Sequence, residues 1–151
     1  PDALRLFAGF PEGMGRDALI EDYEWILGLF ATVADTDSIG VRLATTLERS
    51  CPRFHVDHVP LRLICTWQGP ATEWLEHVDV DRRFLGRNHG GKPDELSGLL
   101  KAGAVVQQMD PFDIGLMKGE GWPGNEGAGL VHRSPMPRAL ARVMITLDAL
   151  A

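Results

Sequence analysis

Alternation of apolar and polar residues at period two is the feature that most narrows what this chain can become. In IGVRLATTL, residues 39–47, Ile39, Val41, Leu43, Thr45 and Leu47 fall on one side, which suits a half-buried strand. VPLRLICTW, residues 59–67, has the same β-branched and aromatic character and runs into Gly69-Pro70, a turn signal. RVMITLDAL, residues 142–150, alternates too, with Val143, Ile145 and Leu147 on one face and Arg142, Met144, Thr146 and Asp148 on the other. Leu140, Met144 and Leu147 also fit helical spacing, so a helix starting near Pro137 competes there. Shorter strands are expected in AVVQQM (104–109) and DIGLMKG (113–119).

One segment breaks clearly from this pattern. Residues 17–34 place Leu19, Tyr23, Ile26, Phe30 and Val33 at helical spacing, with Leu27 widening the stripe. KPDELSGLLKAG, residues 92–103, reads as a short helix with Pro93 near its start and Gly103 past its end. Between Gly119 and Gly129 lies a glycine-rich loop containing Trp122, which either caps a cavity or anchors the loop. No internal repeat, heptad run or linker interrupts the chain. The expectation is a single domain, residues 1–151, with a mainly β body over 39–148 and a supporting N-terminal helix over 17–34.

Composition removes several classes of partner. A net charge of −6 offers no basic footprint, so nucleic acid is not expected. No apolar run reaches membrane-spanning length and the N-terminus lacks the plan of a signal peptide. The chain starts at Pro1 without a methionine, which leaves room for an upstream segment. Two cysteines, Cys51 and Cys65, are too few for a disulfide framework, and a reducing cytoplasm is the expected setting. One bridge between them remains arithmetically open.

The residues with chemical potential cluster in two places. In CPRFHVDHVP, residues 51–60, His55 and Asp57 are two apart, so on a strand both point to one side. An imidazole and a carboxylate supply two ligands of a 2-His-1-carboxylate triad, which needs a second histidine brought back by the fold. The plainer reading is a polar pair on an exposed strand face. A zinc reading uses Cys51, His55 and His58, although His58 would face away from His55 on a strand. The other place is LVHRSPMPRALARVMITLD, where Arg142 follows His132 by ten residues across a turn containing Pro135 and Pro137. A reversal there would put both on neighbouring antiparallel strands facing one interior, where arginine grips a carboxylate bidentately. Between them, QGPATEWLE turns at Gly69-Pro70 and restarts with Thr72, Glu73 and Trp74. Glu73 reads as an exposed strand glutamate.

The order of these elements (H-x-D, a strand, a G-x-x-T-E-aromatic return, a distant histidine and an arginine ten residues on) resembles the Fe(II)/2-oxoglutarate-dependent oxygenases. The resemblance spans roughly Ile39 to Asp148 and implies a double-stranded β-helix, a cupin-like jelly roll. It implies His55, Asp57 and His132 as metal ligands, Glu73 as a catalytic carboxylate lining the cavity, and Arg142 as the partner of the 2-oxoglutarate carboxylate, with Arg138 the alternative holder. The chain departs from that pattern in two places: Met144 stands where a serine usually follows the arginine, and Tyr23 is the only tyrosine. More closely, CPRFHVDHVPLRLICTWQGPATEWL together with VHRSP is similar to an uncharacterised bacterial family associated with gene neighbourhoods of metal homeostasis.

The function expected is therefore a mononuclear non-haem Fe(II) oxygenase using 2-oxoglutarate on an unidentified small-molecule substrate. The competing expectations are a non-catalytic zinc or iron binding protein of cupin-like fold, and an inert β-scaffold. Arg142 discriminates them, since an oxygenase of this kind needs the carboxylate clamp and a metal buffer does not.

Overall fold

The computed structural model describes residues 2–150. In chain order the elements are α1 (Ala3–Leu6), α2 (Met14–Ala34), β1 (Ile39–Thr46), β2 (Leu61–Gln68), β3 (Glu73–Leu75), β4 (Gln107–Gln108), β5 (Ile114–Lys118), β6 (Val131–Arg133) and β7 (Arg142–Ala149), with single 3-10 turns between β3 and β4. The chain is mainly β, in two antiparallel sheets ordered β1-β7-β2-β5 and β4-β3-β6.

The three alternating segments become the three long strands, side by side in the larger sheet. β7 pairs with β1 from Ile39 opposite Ala149 to Thr46 opposite Arg142, and with β2 from Arg62 opposite Asp148. Odd-numbered residues of all three strands face one way. Leu61, Leu63, Cys65, Trp67, Val143, Ile145 and Leu147 are buried there against Tyr23, Ile26 and Phe30 of α2 and against Phe7. Full burial of side chains such as Leu63 or Ile145 contributes roughly 1.5–3 kcal/mol each, so the sheet is strongly committed to this face. Even-numbered residues consequently face the other side, towards the smaller sheet.

The helix matches its sequence pattern, beginning three residues earlier than expected and ending where Asp35 adopts a left-handed conformation with φ 48°. Val33, on the same stripe in the last turn, is left 46% exposed. The final segment is a strand, which removes the helical alternative; Leu140 is exposed rather than packed.

Two expectations fail. The helix expected over 92–103 is reduced to one 3-10 turn, Asp94–Leu96. Gly98 sits at φ +90° against the Phe84 ring, a backbone conformation that ends any helix. Asp94 is turned inward, accepting from the Phe54 amide at 2.9 Å and pairing with Arg53 at 3.0 Å, so tertiary contacts override local propensity. The strand expected over 104–109 shrinks to Gln107–Gln108, paired with β3.

The glycine-rich loop is anchored. Trp122 packs against the main core and its ring receives the Lys118 ammonium at 4.5 Å. The loop's amides also bind the segment carrying Asp57, with Glu120 donating to the Asp57 carbonyl at 2.8 Å and Gly119 to that of Pro60 at 3.0 Å. A Cβ on Gly119 would lie 2.1 Å from the Val59 oxygen, and one on Gly121 would lie 2.5 Å from that of His58. Glycine is required at both by this close approach.

Candidate metal centre and its cavity

His55 reaches the site through the smaller sheet. Outside any full strand, it forms an isolated antiparallel bridge with His132 on β6, each amide donating to the other's carbonyl at 3.0 Å. Directly bridged residues of an antiparallel pair share a face, and the two imidazole rings lie 4.5 Å apart at 50°. Asp57, two residues on, arrives from the same side.

The ligand atoms of His55, Asp57 and His132 all lie within 4.8 Å of one another, the one such convergence among the described residues. His132 Nε2 is 3.4 Å from Asp57 Oδ2 and His55 Nε2 is 3.9 Å from Asp57 Oδ1. Ligands ~2.1 Å from one ion stand roughly 3–4.2 Å apart, depending on the angle between them, so a small inward movement completes the set. His55, with its side chain 32% exposed against 7% for His132, is the one free to make it.

The donor chemistry fits a cation. His55 Nδ1 sits 2.9 Å from the Arg53 carbonyl and His132 Nδ1 3.0 Å from that of Leu130. A carbonyl only accepts, so each Nδ1 carries a proton and each Nε2 is the nitrogen turned towards Asp57. Burial, opposed by the Asp57 charge, holds His132 below the usual histidine pKa and keeps it neutral, as a ligand must be. Asp57 Oδ2 is buried without a hydrogen bond, and a buried carboxylate oxygen left bare calls for a partner.

Arg62 completes this arrangement, and nothing in its local sequence marks it beyond its alternation on β2. Its Nη1 lies 2.9 Å from Asp57 Oδ1, while Nε and Nη2 grip Asp148 at 2.5 and 2.8 Å. The guanidinium thus ties the carboxylate at the end of the H-x-D motif to the central strand β7. With Oδ1 held, Oδ2 is the oxygen left for an ion.

The two histidines of the triad open into a cavity of about 210 Å³ between the sheets, lined also by the inward residues of β1, β2 and β7, including Arg42, Arg62 and Arg142. Arg142 is 7% exposed. Its Nη2 donates to Thr72 Oγ1 at 2.8 Å and Thr66 Oγ1 at 3.3 Å, and its Nε is buried without a partner. Among the described residues no carboxylate pairs with it, and burial pushes its pKa down to about 10. His132 and Arg142 do face one interior, as anticipated, but from opposite sheets instead of neighbouring strands. The segment containing Pro135 and Pro137 carries the chain from the smaller sheet to the larger.

The remaining candidates lie elsewhere. Glu73 shares a side of β3 with Leu75, on the outer face of the smaller sheet, and its carboxylate is held by Arg133 at 2.6 Å and Arg49 at 3.7 Å. Period two puts Thr72 and Trp74, not Glu73, towards the interior. Arg138 is exposed outside this cavity. Cys51 lines the cavity wall but does not join the three converging ligands, and His58 is exposed. The two cysteines are free, Cys65 in the core.

No helix among the described residues is long and apolar enough to cross a membrane. Comparison with curated proteins and with solved structures finds no match. A family model, described as a protein of unknown function (DUF1826), matches residues 1–148, and the chain belongs to that family.

Proposed function

We propose that this protein is a mononuclear non-haem iron oxygenase that uses 2-oxoglutarate, built on a double-stranded β-helix. The strand order supports the fold: β1-β7-β2-β5 faces the His55 bridge, β6, β3 and β4, the interleaving expected of eight strands wound as a jelly roll. The observation that carries the function is Arg142, a buried cation without a carboxylate in the cavity that the triad opens into. Leaving a charge buried and unpaired costs several kcal/mol or more, and a bound acid would relieve that cost.

In this reading His55 and His132 bind through Nε2 and Asp57 through Oδ2, a triad that leaves coordination positions open on the cavity side. When bound, Fe(II) and the keto acid would supply O2-dependent oxidation of a C–H bond, with loss of CO2 from the keto acid. The chain's own work is positional. Arg62 fixes the Asp57 carboxylate, and Thr66 and Thr72 aim the Arg142 fork so that its free N–H groups meet the distal carboxylate of the acid. The two sheets hold the space between triad and arginine to about 210 Å³.

The test is calorimetry of 2-oxoglutarate into protein loaded with Fe(II) under nitrogen, alongside metal analysis. Binding that is lost in Arg142→Ala, with metal stoichiometry retained, is expected. Metal binding without any keto-acid binding in the wild type would sink the oxygenase reading and leave a non-catalytic metal-binding protein of metal homeostasis.

A further inference from the structure

The cavity reverses the charge of the molecule around it. The chain carries −6, yet four arginines, Arg42, Arg62, Arg133 and Arg142, line these walls against the acid Asp148 and the Asp57 carboxylate that Arg62 holds. Two of the four are spent: Arg62 holds Asp148 and Asp57, and Arg133 holds Glu73 and Glu95. Asp148, gripped through both its oxygens, is not free to neutralise anything else. Arg142 and Arg42 are left.

Arg42 lies on the inward side of β1, the edge strand of the larger sheet, opposite Thr146. It makes no ion pair or hydrogen bond among the described residues. Arg142 faces Thr46, four positions further along β1, which is roughly 14 Å away at ~3.4 Å per residue. The inward residues between them, Ala44, Met144 and Thr146, are uncharged. The cavity therefore has one positive end deep inside and another at its exposed rim. A cleft lined by one sign of charge concentrates ions of the other.

We propose that the substrate is a small anion whose carboxylate or phosphate group is received by Arg42 at the rim, which holds the rest of the molecule over the triad. This rests on the oxygenase reading in one respect, that Arg142 is taken by the keto acid. An anchor at each end keeps cosubstrate and substrate apart, and makes charge the criterion for entry.

The test uses benzoate and phenyl phosphate as anionic probes and benzamide as their neutral counterpart, titrated by calorimetry into the full chain loaded with metal and saturated with 2-oxoglutarate. Both anions are expected to bind about ten-fold tighter than benzamide, as for one charge-assisted contact of ~1.4 kcal/mol. Arg42→Gln should close that gap and Arg42→Lys should keep most of it. The same titration in Arg142→Met reads Arg42 whether or not 2-oxoglutarate binds, so failure of the oxygenase reading is seen separately. Equal binding of benzamide and the anions, or a gap that survives Arg42→Gln, overturns the proposal. If the gap stands, the tighter of the two anions tells whether phosphate or carboxylate is the natural group.

Discussion

Replacing Arg142 by methionine separates a binding role from a structural one. Burial lowers the Arg142 pKa from 12.5 to about 10, which at ~1.4 kcal/mol for each unit sets roughly 3 kcal/mol against the charged form in the folded protein. Set against that are two hydrogen bonds, to Thr72 at 2.8 Å and to Thr66 at 3.3 Å. A bond from a charged donor contributes ~1.5–3 kcal/mol, and only the shorter has full strength. Methionine fills much of the same volume without the charge. The net change is expected between about zero and 1.5 kcal/mol in favour of the variant, a rise in Tm of up to ~5 °C for a chain of this size. The ligand response should move the other way. At a hundred-fold excess over Kd, 2-oxoglutarate should stabilise the metal-loaded wild type by ~2.7 kcal/mol and leave Arg142→Met unmoved. Thermal unfolding followed by circular dichroism, with and without the acid, reads both effects. A variant whose Tm falls by more than ~6 °C would mark Arg142 as a structural residue, and protection that survives the substitution would place the acid elsewhere.

Three further outcomes follow from the geometry. Because burial holds His132 below its ordinary pKa of 6.5, the unfolded chain takes up that proton first as pH falls; metal-free protein should lose stability below pH ~6.5 until the folded-state pKa is passed, and urea titrations should show His132→Gln missing that component. Gly119→Ala drives a Cβ into the Val59 and Asp57 carbonyls, so it should cost about 1–3 kcal/mol and weaken metal binding by displacing Asp57, measured by denaturation and by metal titration. Cys51 is exposed while burial pushes the Cys65 thiol up to about 12; a thiol reagent at pH 8 should therefore label one cysteine in the native protein and two after denaturation, and Cys51→Ser should keep the full metal stoichiometry.

Features with a local cause are legible in the amino-acid order alone. Period-two alternation specifies β1, β2 and β7 and which of their side chains turn inward, so the aim of Arg142 follows from its place in the alternation. The 3.6-residue stripe specifies α2, and two-residue spacing joins His55 to Asp57. Other features depend on register between segments far apart in the chain, and these arise only when the sheets assemble. The bridge between His55 and His132, the turn of Glu73 to the outer face, and Arg62 reaching Asp57 and Asp148 at once each require a pairing that no local pattern encodes. Asp94 makes the same point in reverse: its segment reads as helix, but an inward carboxylate held by Arg53 and the Phe54 amide gains more from the fold than a helical turn would offer. Local propensities are worth less than about 1 kcal/mol per residue for ordinary residues, and buried pairings outweigh them. The convergence of His55, Asp57 and His132 is a product of strand register, and the inward-facing arginines are a product of alternation.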